Sequence, residues 1–290
     1  MTKETIRLHG LYLQDDPAGI KADLRKAYLR VADLRGADLR KADFRGADMW
    51  RANLEGANLG GADLREADLR EADLREANLW DANLEQANLG NAVLRGANLG
   101  NANLCKAILL DTNLGETNLE AADLREANLM GANLIKANLW ATDLRKADLT
   151  GADLWKANLW GANLGGANLK RAHLSEANME DALLEETDLK GAHLERAIFK
   201  GANLWCTDLS ETKLAKADLR GANIDYSCWP LWCGSIGVIV DARIASQLAY
   251  HFCALECDDQ EFLEARVAIA KFANKFHKVL EKDCDRIKER

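Results

Sequence analysis

Between residues 22 and 226 the hydrophobic positions recur every five residues, 41 times, with no insertion or deletion. Call the leucine position i; it runs Leu24, Leu29, Leu34 and onward to Ile224, with Phe44, Met49, Met179 and Phe199 as the other substitutes. Position i−2 is always Ala or Thr, and i−1 is usually Asp or Asn. On an α-helix a step of five advances about 500°, or about 140° after one full turn, so the leucines would spiral and form no stripe. On a flat strand successive leucines would point to opposite faces. Both faults vanish if the chain turns a corner of about 90° every five residues, so that each Ala and Leu points at one central axis. The expectation is that i and i−2 are buried in every repeat while i−1 and i+1 face water.

Four such corners close a coil of twenty residues, and a twenty-residue spacing is visible in the sequence itself. Asn58, Asn78, Asn98, Asn118, Asn138, Asn158 and Asn178 form an unbroken run at that spacing. The pattern therefore predicts about ten stacked coils, a rod about 50 Å long at the ~4.8 Å separation of paired strands. A single coil cannot bury enough to stand alone, so the stack needs its neighbours and covered ends.

The phrase Ala-Asp/Asn-Leu followed by two freer positions, as in Ala32-Asp33-Leu34-Arg35-Gly36, resembles the pentapeptide repeat family over about 70% of the chain. That resemblance implies a right-handed quadrilateral β-helix. It does not imply one function, because most members of the family have none assigned.

The fold class expected is thus an all-β solenoid with a short N-terminal cap over residues 1–20, repeats over 21–228, and a small helical capping or docking module over 229–290. Leu8, Leu11 and Tyr12 lie at helical spacing before Asp16-Pro17-Ala18-Gly19 breaks the pattern. After Ile224 the repeat phase dissolves. A strand-like Val238-Ile239-Val240 follows, then a helix capped by Asp241 with Ile244, Leu248, Phe252 and Leu255 on one stripe. A second helix starting near Asp258 or Asp259 carries Phe262, Ile269, Phe272 and Phe276 as a candidate docking stripe, on the last coil or across a homodimer.

Net charge is −8. Residues 21–51 carry +4, with Arg25, Arg30, Arg35, Arg40 and Arg45 at successive i+1 positions, and residues 52–226 carry −10. No overall basic footprint for nucleic acid or polybasic membrane anchor is present, and a solvated charged face is the favoured reading of the arginines. Seven irregularly spaced cysteines argue against a disulfide framework. No apolar signal segment or span is visible, so the cytoplasm is the expected compartment.

Large apolar residues in outward positions are the most telling chemistry. In the twenty-residue register Leu110 and Met130, with Ile108 beside them, share one side; Ile135 and Trp155 share the next; Trp140 and Trp160 share a third. These seven form a candidate interaction patch over the middle coils. His173 and His193 stand one coil apart, and Cys228, Cys233, His251, Cys253 and Cys257 gather near the C terminus, but neither set has a zinc spacing. They are read as solvated side chains and as core or capping residues respectively. No phosphate loop, nucleophile elbow or triad is visible, so neither catalysis nor a cofactor is expected. The leading reading is a non-enzymatic scaffold for an unidentified protein partner. The alternative comes from the resemblance: some pentapeptide proteins linked to quinolone resistance mimic B-DNA and bind DNA gyrase or topoisomerase. A zinc- or redox-sensing tail is a third reading. No direct nucleic-acid binding is expected.

Overall fold

The computed structural model describes residues 3–225, 227 and 238–241, with the single positions 244, 245, 249, 264, 267 and 269. Parallel β-bridges join each i−1 residue to the one twenty residues later, from Asp23 with Asp43 to Asn203 with Asn223. Four pentapeptides therefore complete one coil, and the rod is four-sided. Each side contributes an isolated bridge and not a strand, a departure from the expected β segments. The physical reason lies at the corners. Position i+2 is left-handed throughout, as at Lys26 (φ 54°), Gly36 (φ 62°) and Asn91 (φ 58°), so too few extended residues remain on a side to build a ladder.

Every backbone amide of a pentapeptide has a distinct destination. Leu24 donates to the Asp43 carbonyl of the next coil (2.7 Å) and Lys26 to the Arg45 carbonyl (2.9 Å). Asp43 donates back to Ala22 (3.0 Å), and Ala27 closes the corner on Leu24 (3.1 Å). The fifth amide, at i+1, has no carbonyl within the stack. It donates to the side-chain Oδ1 of i−1, as Arg25 does to Asp23 (3.2 Å), Gly60 to Asn58 (3.2 Å) and Trp140 to Asn138 (3.3 Å). Asp or Asn at i−1 is thus a backbone acceptor, an Asx turn repeated along the rod.

Inside, the leucines and alanines are buried as the period requires. Where Thr replaces Ala, the added hydroxyl is satisfied: Thr112, Thr117, Thr142, Thr187 and Thr207 donate to leucine carbonyls of the preceding coil at 2.7–2.9 Å. Thr212 turns instead to Leu209 (2.6 Å). Ser227 makes the same bond to Leu204 (2.7 Å), so the register of position i−2 persists one step beyond Ile224. The burial expectation fails at the ends of the rod and at a few outward positions, among them the i+1 residues Gly90, Gly100, Gly115 and Asp225, which are buried. Ala27, Ala32 and Ala37 of the first coil are only half-buried because no coil precedes them, and Asp218, an outward residue, is buried. At that end Ile239 pairs with Asp218, while Val238 and Val240 pack on the core.

Helix α1 (Lys3–Tyr12) crosses the open first coil. It is tied down by the Ile20 amide to the Leu8 carbonyl (2.9 Å) and by the Ala22 amide to Nδ1 of the buried His9 (3.1 Å). The His9 ring stacks on Tyr12, and its Nε2 has no hydrogen-bond partner. Burial holds its pKa below the ordinary histidine value, against the opposing pull of the Arg40 carbonyl and the Asp38 carboxylate.

At the far end Leu219 donates to Ile239 (2.8 Å) and Ile239 to Ala217 (2.7 Å). The pairing spans 21 residues where inner coils span 20, so this stretch holds one extra residue. The strand-like reading of Val238-Ile239-Val240 is realised as that bridge. Asp241 then does two tasks: its Oδ2 accepts the Gly221 corner amide (2.7 Å) and its Oδ1 accepts the Ile244 amide (2.9 Å), an N-cap. Leu248, Phe252, Leu255, Phe262, Phe272 and Phe276 lie outside the described residues. Ile269 is helical and half-buried, and Val267 is exposed.

Candidate interaction surface

The Asx turns fix where the i+1 side chains stand, and they do so most firmly on the side that carries residues 58 to 178. There the asparagines also bond to one another. Nδ2 of Asn78 donates to Asn58, Asn98 to Asn78, Asn118 to Asn98, Asn138 to Asn118, Asn158 to Asn138 and Asn178 to Asn158, all at 2.9–3.2 Å. From Asn58 to Asn158 each amide oxygen thus serves one backbone and one side-chain donor, and Asn178 ends the run with the Glu180 amide alone. The result is a rigid polar ladder.

Trp80, Trp140 and Trp160 stand beside this ladder, all at i+1. Trp140 and Trp160, on adjacent coils, stack with ring centroids 5.8 Å apart and planes 7° from parallel. They are 38% and 37% exposed, and Trp80 is 50% exposed. A stacked indole pair left in water on a rigid backing is the largest apolar feature of the side.

The other members of the sequence-derived patch lie elsewhere around the square. Leu110 and Met130 are exposed on one side with Ile108, and Ile135 and Trp155 are half-buried on the next. Three sides are involved, so a flat partner cannot touch all seven residues at once. Ile108 is also one of the few i−1 residues without an oxygen for the i+1 amide. Sequence reasoning passed over Trp80, although its number places it in the column of Trp140 and Trp160. It also passed over a cleft of about 360 Å³ between α1 and this side, lined by Tyr12, Arg40, Lys41, Asn58, Trp80 and Asp81.

The charged columns are largely self-neutralised. Arg25, Arg35, Arg40 and Arg45 each clasp the Asp two residues earlier at 2.6–2.7 Å. The Arg25 and Arg35 guanidiniums lower Asp23 and Asp33 to about 2. Arg30, preceded by Tyr28 at i−1, reaches to Asp48 in the next coil instead (2.6 Å). The same clasp recurs at Arg65, Arg70, Arg75, Arg125, Arg145 and Arg220. These arginines are side-chain braces on exposed Asx turns.

His173 and His193 meet edge to face at 5.9 Å, and His173 Nδ1 lies 3.1 Å from Asp153 Oδ1. Among the described residues no group of His, Cys, Asp and Glu is arranged to hold a metal ion. Cys105 and Cys206 are free thiols, half-exposed; burial pushes Cys105 up. The remaining cysteines lie outside the described residues. No helix among those described is long and apolar enough to cross a membrane.

The sequence model of pentapeptide repeats matches in eight copies, over residues 20–51, 51–84, 72–111, 112–151, 147–185 and 177–214. Among solved structures, the chain is similar to HetL, a pentapeptide repeat protein involved in heterocyst differentiation regulation from the cyanobacterium Nostoc sp. strain PCC 7120. The identity is 32% over 79% of this chain and 93% of HetL, with a TM-score of 0.32. It is similar to Rfr23 from the cyanobacterium Cyanothece 51142 at 33% identity over 34% of this chain and 60% of that one, with a TM-score of 0.24. QnrB1, a plasmid-mediated fluoroquinolone resistance protein, is 19% identical over 71% of this chain and 90% of its own, with a TM-score of 0.34. No curated protein matches the chain. With its repeats matched from residue 20 to 214, the chain belongs to the pentapeptide repeat proteins, which fold as right-handed quadrilateral β-helices.

Proposed function

We propose that this protein is a non-enzymatic interaction scaffold: a rod of about ten coils, closed by α1 and by the 229–290 module, that presents the Trp140–Trp160 side to a protein partner. The observation that carries the reading is the stacked, exposed indole pair held on an unbroken asparagine ladder. Folding does not need those rings, since both inward columns are complete without them, whereas indoles on a fixed surface are strong contact residues. Leu110, Met130 and Ile108 on one neighbouring side, with Ile135 and Trp155 on the other, extend the contact only for a partner that wraps the rod. Half-exposed free thiols at Cys105 and Cys206 suit a reducing compartment, and the cytoplasm is the proposed location.

The DNA-mimic alternative has less support, because so many of the aspartates that would imitate phosphates are clasped by their own arginines. A supercoiling assay with DNA gyrase tests it directly. The scaffold reading is tested by Trp140→Ser with Trp160→Ser. The double variant should keep its far-ultraviolet circular dichroism while association with itself or with a partner captured by the wild type weakens at least tenfold. Unchanged oligomeric state and unchanged capture would remove this side as the contact surface.

A further inference from the structure

Within this chain, a tryptophan at i+1 takes a cation over its ring where one stands at the following corner. Trp50 has the Arg51 guanidinium 4.3 Å from its ring centroid, with Arg30 at 5.9 Å. Trp155 has the Lys156 ammonium at 4.4 Å. Trp140 and Trp160 have no such corner residue. Their corners are Ala141 and Gly161, and among the described residues no cation lies over either ring.

The same column also carries acids. One coil before Trp140 stands Glu120, and one coil after Trp160 stands Glu180. Most acids of the middle coils have a cation or a hydrogen-bond donor, as Glu116 has Arg95, Glu126 has Lys106 and Glu176 has Lys156. Among the described residues neither Glu120 nor Glu180 has an ion-pair partner. The indole stack is therefore bracketed by two unpaired carboxylates, each one coil along the column from a tryptophan, the coils being about 4.8 Å apart.

An indole face beside a carboxylate is a cation site: the ring quadrupole and the formal charge attract the same group, and the planar guanidinium matches both. From these juxtapositions we infer that the Glu120–Trp140–Trp160–Glu180 column binds an arginine-bearing extended segment of a partner protein. Two arginines two to four residues apart on such a segment, roughly 7–13 Å along an extended chain, reach both ends of the stack. This inference rests on the scaffold reading and specifies its partner.

The experiment is calorimetric titration of the full chain at low salt with a capped peptide of alternating Arg and Gly, and with the same peptide carrying Glu for Arg. The wild type should bind the arginine peptide, more weakly as salt rises, and not the glutamate peptide. Glu120→Gln with Glu180→Gln, and separately Trp140→Ser with Trp160→Ser, should each weaken binding at least tenfold. The control Glu66→Gln with Glu85→Gln, which removes two charges from another side, should change it less than twofold. Equal loss in the control would reduce the effect to net charge and overturn the site, as would no binding by the wild type. If the tryptophan variant loses self-association or partner capture while no arginine peptide binds, the scaffold reading stands and this inference falls.

Discussion

At the scale of single residues, the repeat is an answer to where five amides go. Four are satisfied by carbonyls whatever the side chains are, and the fifth needs an oxygen two residues back. Asn118 illustrates the load: it accepts from the Glu120 amide and from Asn138, and donates to Asn98. Asn118→Leu keeps the branching and heavy-atom count and removes all three bonds; at about 1 kcal/mol per bond, urea denaturation should show a loss of roughly 2–3 kcal/mol. Val93, Ile108 and Leu183 occupy the same position elsewhere, so the fold should survive. The corners make the opposite prediction at Val31, a β-branched residue at φ 56° that is exposed and contributes nothing to the core. Val31→Asn should stabilise by about 1 kcal/mol, because Asn tolerates the left-handed region, and Asn91 and Asn101 already hold such corners. A lower urea midpoint would contradict this account of the corners. The acceptor role of i−1 toward the backbone was not legible in the sequence, where Asp and Asn read as water-facing and the asparagine run as a ladder between coils; it depends on the direction of an amide that only the coiled backbone defines. Trp80 was legible and overlooked, since its spacing from Trp140 and Trp160 is a multiple of twenty. The contrast between Trp50-Arg51 and Trp140-Ala141 was also on the page, but its meaning required knowing that a corner residue folds back over the preceding ring.

At the scale of elements, the two ends are closed by different chemistry. The N-terminal helix was readable from Leu8, Leu11 and Tyr12 at helical spacing, but the use of His9 was not, because nothing in its spacing says that its ring will accept the Ala22 amide. That bond requires neutral Nδ1. Since the folded pKa lies below the ordinary 6.5, docking of α1 is fully supported above that value and weakens as pH falls through the lowered folded value. Protection of the Ala22 amide from hydrogen exchange, corrected for intrinsic rates, should therefore drop between pH 7 and 5. In His9→Phe it should be low and independent of pH over that range; protection in wild type that stays constant would contradict the clasp. At the other end the period stops where the pairing lengthens from 20 to 21 residues, so sequence periodicity could locate the end of the repeats but not the docking of Val238–Val240 onto the rod. Deleting 229–290 uncovers the bridge partners of Ile239 and should produce association on size-exclusion chromatography, whereas a well-behaved monomer would remove the capping role.

At the scale of the whole molecule, inward and outward positions carry separate duties. The inward columns and the Asx turns fix a four-sided rod, and that much was read from the five-residue period because a strict period leaves few geometries. The outward i+1 positions are free to differ from coil to coil, which is how one stretch of a side can hold a bare indole pair between two unpaired acids while its end coils and the other sides hold Arg–Asp clasps. Sequence alone placed those indoles in one column but could not set their stacking or exposure. Leu124→Asp, which buries a charge in an inward column, should lose several kcal/mol and collapse the middle coils. The separation of duties is tested most directly by thermal unfolding and association measured on one and the same protein, Trp140→Ser with Trp160→Ser. The account predicts a melting temperature within about 2 °C of wild type, as for surface substitutions of under ~0.5 kcal/mol, together with at least tenfold weaker association. A melting temperature lowered as in Leu124→Asp, with association unchanged, would contradict it.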